Sequence, residues 1–235
     1  MKRIFLSLLF CAIASSSLFA AETVTAEESK KIIDGIYNKM EPAFRKYSGF
    51  FGLRTTKFKM TDSKTGAHIE STESLVKIKN DFNDAPEPVQ VIKFIKNGQE
   101  QPVSKFTERK QLQFYPVFDD KGRERYSIEI TGTKKINDID CYVLNIIPKQ
   151  KTTRHYSGNM FISKKELNLV AFEGAPAALE KGVQAFSINT IYKTMENLPI
   201  VIKSQIEIFI HVPVFFPNKK MTIDVEIKDH ELILK

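Results

Sequence analysis

The sequence predicts an α+β fold that is mainly β, with a strongly curved antiparallel sheet, or open barrel, behind one N-terminal helix. Three observations support this prediction. Apolar residues follow helical spacing only near the start of the chain, before Gly49. Beyond Gly49 they recur at every second position in roughly ten segments. Residues 139–174 hold three such segments in close succession, which is typical of antiparallel strands joined by short turns.

The helix is predicted from its first turn and from one apolar stripe. Thr25 and Glu28 form a T-x-x-E capping box, which favours a helix start at this point. Pro42 cannot continue a helix undisturbed, because its ring meets the carbonyl of Asn38. We therefore expect a kink or restart, with Phe44 and Tyr47 on a second helical piece. The stripe consists of Ile32, Ile33, Ile36, Tyr37 and Met40.

The strands are predicted from alternation between apolar and polar residues. Residues 62–66 join the first two strands in a hairpin-type turn, and residues 100–125 are expected to be irregular. In 200–210 five isoleucines share one side, with Ser204 the only polar interruption. The predicted strands are 50–60, 69–79, 89–96, 126–134, 142–147, 156–163, 167–172, 184–195, 200–210 and 222–228.

The first residues are typical of an export signal. Lys2 and Arg3 precede an apolar run that is too short to cross a bilayer, and small residues follow that run. We expect a signal peptide at residues 1–21, a single domain at 22–235, and a location in the periplasm. Once the signal is removed, Cys141 is the only cysteine, so no internal disulfide is expected.

Composition and spacing give no support to catalysis. The net charge of +7 is dispersed along alternating strands, and export makes nucleic acid an unsuitable partner. The four histidines lack the spacing of metal ligands, and the ten glycines form no phosphate-binding loop. We expect no enzyme, no cofactor, no metal and no catalytic residues. We also expect a monomer with at most peripheral contact with a membrane.

Four segments carry recognisable motifs: 132–136, 140–144, 156–163 and 169–174. They resemble the central strands of LolA-like outer-membrane lipoprotein-sorting proteins. The opening of a long strand at Leu198-Pro199 fits the same layout. The resemblance implies a curved antiparallel half-barrel wrapped around the helix, with an apolar cavity that holds acyl chains. Proteins of this superfamily include lipoprotein carriers, outer-membrane acceptors and envelope-stress sensors.

The main hypothesis is a periplasmic carrier that holds the acyl chains of a lipid or lipoprotein. It depends on a sheet with more apolar surface than one helix can cover. The first alternative is a protein-interaction or stress-sensor module of the envelope, which has a protein partner and no lipid ligand. An envelope hydrolase is the second alternative. The residues predicted to line the cavity are Ile162, Tyr192, Ile206, Ile208 and Phe209, although Ile208 and Phe209 cannot share one side of a regular strand.

Overall fold

The computed structural model describes residues 24–82, 86–107, 114–211 and 218–235. The predicted signal peptide lies outside these residues. The helices and strands are α1 Ala26–Lys46, β1 Tyr47–Asp62, β2 His68–Asp81, β3 Glu87–Lys96, β4 Gln99–Glu100, α2 Gly122–Arg125, β5 Tyr126–Ile136, β6 Ile139–Pro148, β7 Tyr156–Ser163, β8 Leu169–Pro176, β9 Val183–Met195, β10 Leu198–Ile210 and β11 Lys219–Leu234. A 3-10 turn at Val103–Lys105 follows β4.

The eleven strands of the described residues form one antiparallel sheet. Their order is β4-β3-β2-β1-β11-β10-β9-β8-β7-β6-β5, so from β5 to β11 each strand pairs with the next one along the chain, and β11 pairs with β1. The two end strands, β4 and β5, do not meet, and the sheet is curved but not closed. The predicted fold class is therefore confirmed. The three strands predicted within 139–174 are also confirmed, because β6, β7 and β8 pair in succession.

Helix α1 begins at the predicted capping box. The Thr25 hydroxyl accepts a hydrogen bond from the Glu28 amide, and the Glu28 carboxylate accepts one from the Thr25 amide. The helix continues through Pro42 to Lys46, so the predicted restart is wrong. Tyr47 has extended dihedral angles and begins β1. Pro42 removes one backbone hydrogen bond, and packing of the neighbouring Ala43 into the core offsets that cost.

Two clusters of buried side chains form the core under α1. The first joins the N-terminal part of the helix to strands β5–β9. The second joins the C-terminal end of the helix to β1, β2, β10 and β11. The first contains Ile36, Tyr37, Met40, Val117, Phe118, Tyr126, Leu144, Ile146, Met160, Ile162, Leu169, Phe172 and Ile188. The second contains Ala43, Tyr47, Phe50, Val76, Ile78, Leu198, Ile200 and Ile227.

Polar contacts fasten α1 over strands β5–β8, which we call the covered half. The Lys39 ammonium donates to the Glu166 carbonyl and, at 2.6 Å, to Asn168 Oδ1 in the β7–β8 turn. The Tyr37 hydroxyl donates to the Val117 carbonyl at 3.0 Å. Strands β1, β2, β10 and β11 pack against the C-terminal end of the helix through the second cluster. We call strands β1–β4, β10 and β11 the open half, and β9 lies between the two halves.

Candidate ligand cavity

A cavity of about 720 Å³ lies on the concave face of the open half. Its volume falls within the range of about 300–1,000 Å³ that is usual for small-molecule sites. Strands β1, β2, β3, β9, β10 and β11 supply most of its wall, and the segment 101–107 and Phe114 supply the rest. The lining residues are Arg54, Thr56, Phe58, Glu70, Thr72, Ser74, Phe94, Lys96, Gln101, Lys105, Phe106, Thr107, Phe114, Phe186, Ile206, Ile208, Ile223 and Val225.

Strand alternation explains why these residues share one wall. Successive side chains of a strand point to opposite faces, so every second residue reaches the concave side. The register aligns them across strands: Phe58 lies opposite Ile223, Ile223 opposite Ile206, and Ile206 opposite Ile188. The result is a continuous apolar row that crosses four strands.

A second cavity of about 250 Å³ lies beneath the C-terminal end of α1. Phe44 of the helix and Phe50 of β1 belong to its wall, together with Phe82 after β2. The rings of Phe44 and Phe82 meet edge to face at 5.2 Å. The two cavities adjoin each other, because four residues line both: Arg54, Phe114, Ile206 and Val225.

Three of the predicted cavity residues lie at these walls. Ile206 lines both cavities, Ile208 lines the larger one and Tyr192 lines the smaller one. Ile162 is fully buried in the first core cluster, and neither cavity includes it among its lining residues. In the covered half the helix and sheet have closed over this position.

Phe209 belongs to neither cavity wall. The Lys220 ammonium lies over its ring, 5.3 Å from the ring centre. Adjacent residues of a strand face opposite sides, so a wall that contains Ile208 excludes Phe209. Earlier in β10, a β-bulge between Val201 and Lys203 shifts the alternation of the strand. Val201 therefore lines the smaller cavity, whereas its neighbours Ile200 and Ile202 do not.

Sequence reasoning missed Arg54, whose side chain is only 3% exposed and belongs to both cavity walls. A signal for it was present. Arg54 is in phase with Phe50 and Phe58 on the same predicted strand, and alternation places all three on one face. A ring pair at the 3-10 turn was also missed: Phe94 and Phe106 meet edge to face at 5.6 Å.

Both tyrosines of the smaller cavity remain neutral. Burial raises the pKa of Tyr192 and raises the pKa of Tyr156 well above its ordinary value. They therefore present uncharged hydroxyl groups to the cavity. Near the other end of the larger cavity, the Lys96 ammonium lies 3.8 Å from the Glu70 carboxylate. Because these two charges offset each other, the wall of the cavity is mainly apolar.

Cys141 lies away from both cavities. It is buried with Phe161, Val170 and Ala171 in a separate small cluster. Burial and the nearby Asp140 carboxylate raise the pKa of its thiol, which disfavours the nucleophilic thiolate. The larger cavity, with its apolar row, can enclose apolar matter.

Across residues 24–82, 86–107, 114–211 and 218–235, no three His, Cys, Asp or Glu side chains are grouped so that they could hold a metal ion. Within the same ranges, no helix has both the length and the apolar character needed to cross a membrane.

Comparison with solved structures gives matches over most of the chain. An outer-membrane lipoprotein-sorting protein domain from Vibrio parahaemolyticus is 13% identical, with a TM-score of 0.44, over 88% of this chain and 93% of that one. A LolA superfamily protein from Nitrosomonas europaea is 10% identical, with a TM-score of 0.41, over 89% and 94%. A DUF1329 family protein from Desulfovibrio piger is 12% identical, with a TM-score of 0.39, over 87% and 92%.

The first two of these structures carry the family names predicted from the sequence. This chain is similar to them over most of its length, at low sequence identity. No family model and no curated protein sequence matches the chain.

Proposed function

We propose that this protein binds acyl chains of a lipid or lipoprotein in the two adjoining cavities and carries them through the periplasm. The observation that carries the proposal is the cavity of about 720 Å³ with its apolar row of Phe58, Ile223 and Ile206. Transfer of an acyl chain from water to such a wall gains about 0.8 kcal/mol per methylene group. A chain of moderate length therefore supplies enough free energy for tight binding.

The predicted signal peptide at residues 1–21 supports the periplasmic part of the proposal. A carrier in an aqueous compartment has to hide the acyl chains of its cargo from water. The apolar concave face of the sheet can meet this need, because the backbone of the sheet separates it from water on the convex side.

The test is to fill the cavity and to measure binding of a fluorescent fatty acid. Ile223→Trp places a large ring in the middle of the wall. Thr222→Trp, its matched control, adds the same ring to the neighbouring residue, whose side chain points to the other face. We expect Ile223→Trp to weaken binding at least about tenfold, and Thr222→Trp to bind like the wild type. Absence of binding by the wild type, or equal binding by both variants, contradicts the proposal.

A second candidate function is protein interaction through a sheet edge. Strand β5 ends the sheet and is eleven residues long, so one side of its backbone is available to an added strand. A module of this kind binds its partner equally well with or without Ile223→Trp, because the cavity plays no part. The cavity-filling variant thus separates the two functions.

A further inference from the structure

A row of hydroxyl side chains crosses the concave face between the two cavities. Thr190 of β9 lies opposite Ser204 of β10, and Ser204 lies opposite Val225 of β11. Val225 lies opposite Thr56 of β1, and Thr56 lies opposite Ser74 of β2. Four of five successive positions across the sheet therefore carry a hydroxyl group.

This row coincides with the boundary of the two cavities. Thr56 and Ser74 line the larger cavity, Thr190 and Ser204 line the smaller one, and Val225 lines both. Arg54, two residues before Thr56 on the same face of β1, also lines both. We call Thr56, Ser74, Thr190, Ser204 and Arg54 the polar belt.

Apolar residues flank the belt on both sides. The row of Phe58, Ile223 and Ile206 lies on one side. On the other side Arg54 itself lies between Val76 and Ile227, both of which are buried. The belt is therefore a stripe of hydrogen-bonding groups between apolar residues of the concave face, separate from the Glu70–Lys96 pair of the larger cavity.

The belt is also withdrawn from water. Arg54, Ser74 and Thr190 are all buried, and within the described ranges Arg54 is the one arginine or lysine with so little exposure. The Thr190 and Ser204 hydroxyls are 3.0 Å apart. A ligand that offers hydrogen-bond acceptors at this depth can meet the hydroxyl and guanidinium donors of the belt.

We propose that the polar belt binds the carbonyl oxygens of a carboxylic ester, in an acylated lipid whose apolar segments extend into both cavities. This inference rests on the proposed function and specifies its ligand. Hydroxyl groups and a guanidinium can all donate, and an ester carbonyl only accepts. The flanking apolar rows require the polar group to lie within the ligand rather than at its end. A neutral ester also loses less hydration on burial than a carboxylate does.

The test compares two ligands that differ only in their carbonyl groups. Dioctanoylglycerol carries two ester carbonyls, and its dioctyl ether analogue carries none. Each ligand is titrated against the fluorescent fatty acid on the wild-type protein, and the ratio of the two dissociation constants is measured. We expect the wild type to bind the ester about tenfold more tightly, as two net hydrogen bonds would give.

Removal of belt hydroxyls should reduce this ratio. Thr56→Val with Ser74→Ala removes two donors with little change of shape, and Arg54→Leu removes the charge. We expect both variants to bind the two ligands with more nearly equal affinity. Phe58→Leu is the control: it removes apolar contacts, so it weakens both ligands alike and leaves the ratio unchanged. The ratio is measured within each variant, so it stays informative even when overall affinity falls.

The possible outcomes separate this inference from the proposed function. If the wild type binds ester and ether equally, the belt does not recognise carbonyls, while acyl binding stands. If the ratio persists in both belt variants, the belt is likewise not the source of the preference. If the wild type binds neither ligand nor the fatty acid, the proposed function fails and this inference fails with it.

Discussion

The two halves of the concave face have similar side chains and different environments. In the covered half Leu144, Ile146 and Phe172 are completely buried. In the open half Ile206 and Ile208 lie at equivalent inward positions and remain partly exposed. The amphipathic pattern of the strands is the same in both halves. The difference is whether a helix lies over them.

Simple dimensions explain why one helix leaves half of the face uncovered. Eleven strands about 4.8 Å apart make a sheet roughly 50 Å wide. A helix is only about 10 Å across, and the 21 residues of α1 extend about 30 Å. The contacts of Lys39 and Tyr37 fix this helix over β5–β8. The remaining apolar surface becomes the wall of a cavity.

The largest expected effect is a difference in stability between matched isoleucines. Ile146→Ala leaves a void in a packed core and should lower the free energy of unfolding by about 2–5 kcal/mol. Ile208→Ala removes a side chain that already faces a cavity, so it should cost only about 1 kcal/mol or less. Urea unfolding followed by circular dichroism measures both. Equal losses would mean that the two halves are packed alike.

The next effect concerns ligand binding and two adjacent residues. Ile208→Ala should weaken binding of the fluorescent fatty acid about tenfold, because the ligand loses contact with several carbon atoms. Phe209→Ala should leave the dissociation constant unchanged, because Phe209 lies outside both cavity walls. A loss of binding in Phe209→Ala alone would reverse the assignment of the two faces of β10.

The smallest effect concerns pH and compares one histidine from each half. Burial and the neighbouring Arg125 and Arg154 lower the pKa of His155. Burial also lowers the pKa of His230, but a hydrogen bond to the Val201 carbonyl opposes the shift. A lowered pKa means that the unfolded chain takes up a proton before the folded protein does. Stability is therefore complete above the ordinary histidine pKa of about 6.5 and falls as the pH drops below it.

The free energy of unfolding at pH 7.5 and pH 5.5 tests this prediction. We expect the wild type to lose stability over this interval and His155→Gln to lose less. His230→Gln should likewise lose less stability than the wild type, because the pKa of His230 is also lowered. An unchanged pH dependence in His155→Gln would show that this histidine is protonated equally in the folded and unfolded chains.

Local patterns in the sequence predicted the helix and the strands, but not exactly where each one ends or which face each residue lies on. The capping box at Thr25, the hairpin turn at 62–66 and the strands of 139–174 depend on neighbouring residues alone, and they are confirmed. The end of α1 was mispredicted at Tyr47, because core packing around Ala43 outweighs the local effect of Pro42. Tertiary packing involves residues from several segments, so it cannot be predicted from one segment alone.

The residues that line the candidate site were harder to predict from the sequence. The direction of Ile208 relative to Phe209, and the bulge beside Val201, depend on pairing with β9 and β11. In the sequence, Ser204 is notable only because it interrupts the apolar side of the strand predicted at 200–210. The register places it in one row with residues of four other strands and makes it part of the polar belt. Such a row combines residues more than a hundred positions apart.

The central claim is that the open half encloses an acyl ligand. Native mass spectrometry of the protein, released from the periplasm without detergent, tests this most directly. The account predicts a wild-type mass that exceeds the polypeptide mass by one lipid, and the polypeptide mass alone for Ile223→Trp. A wild-type protein that shows only its polypeptide mass, even after incubation with acylated lipids, would contradict the account.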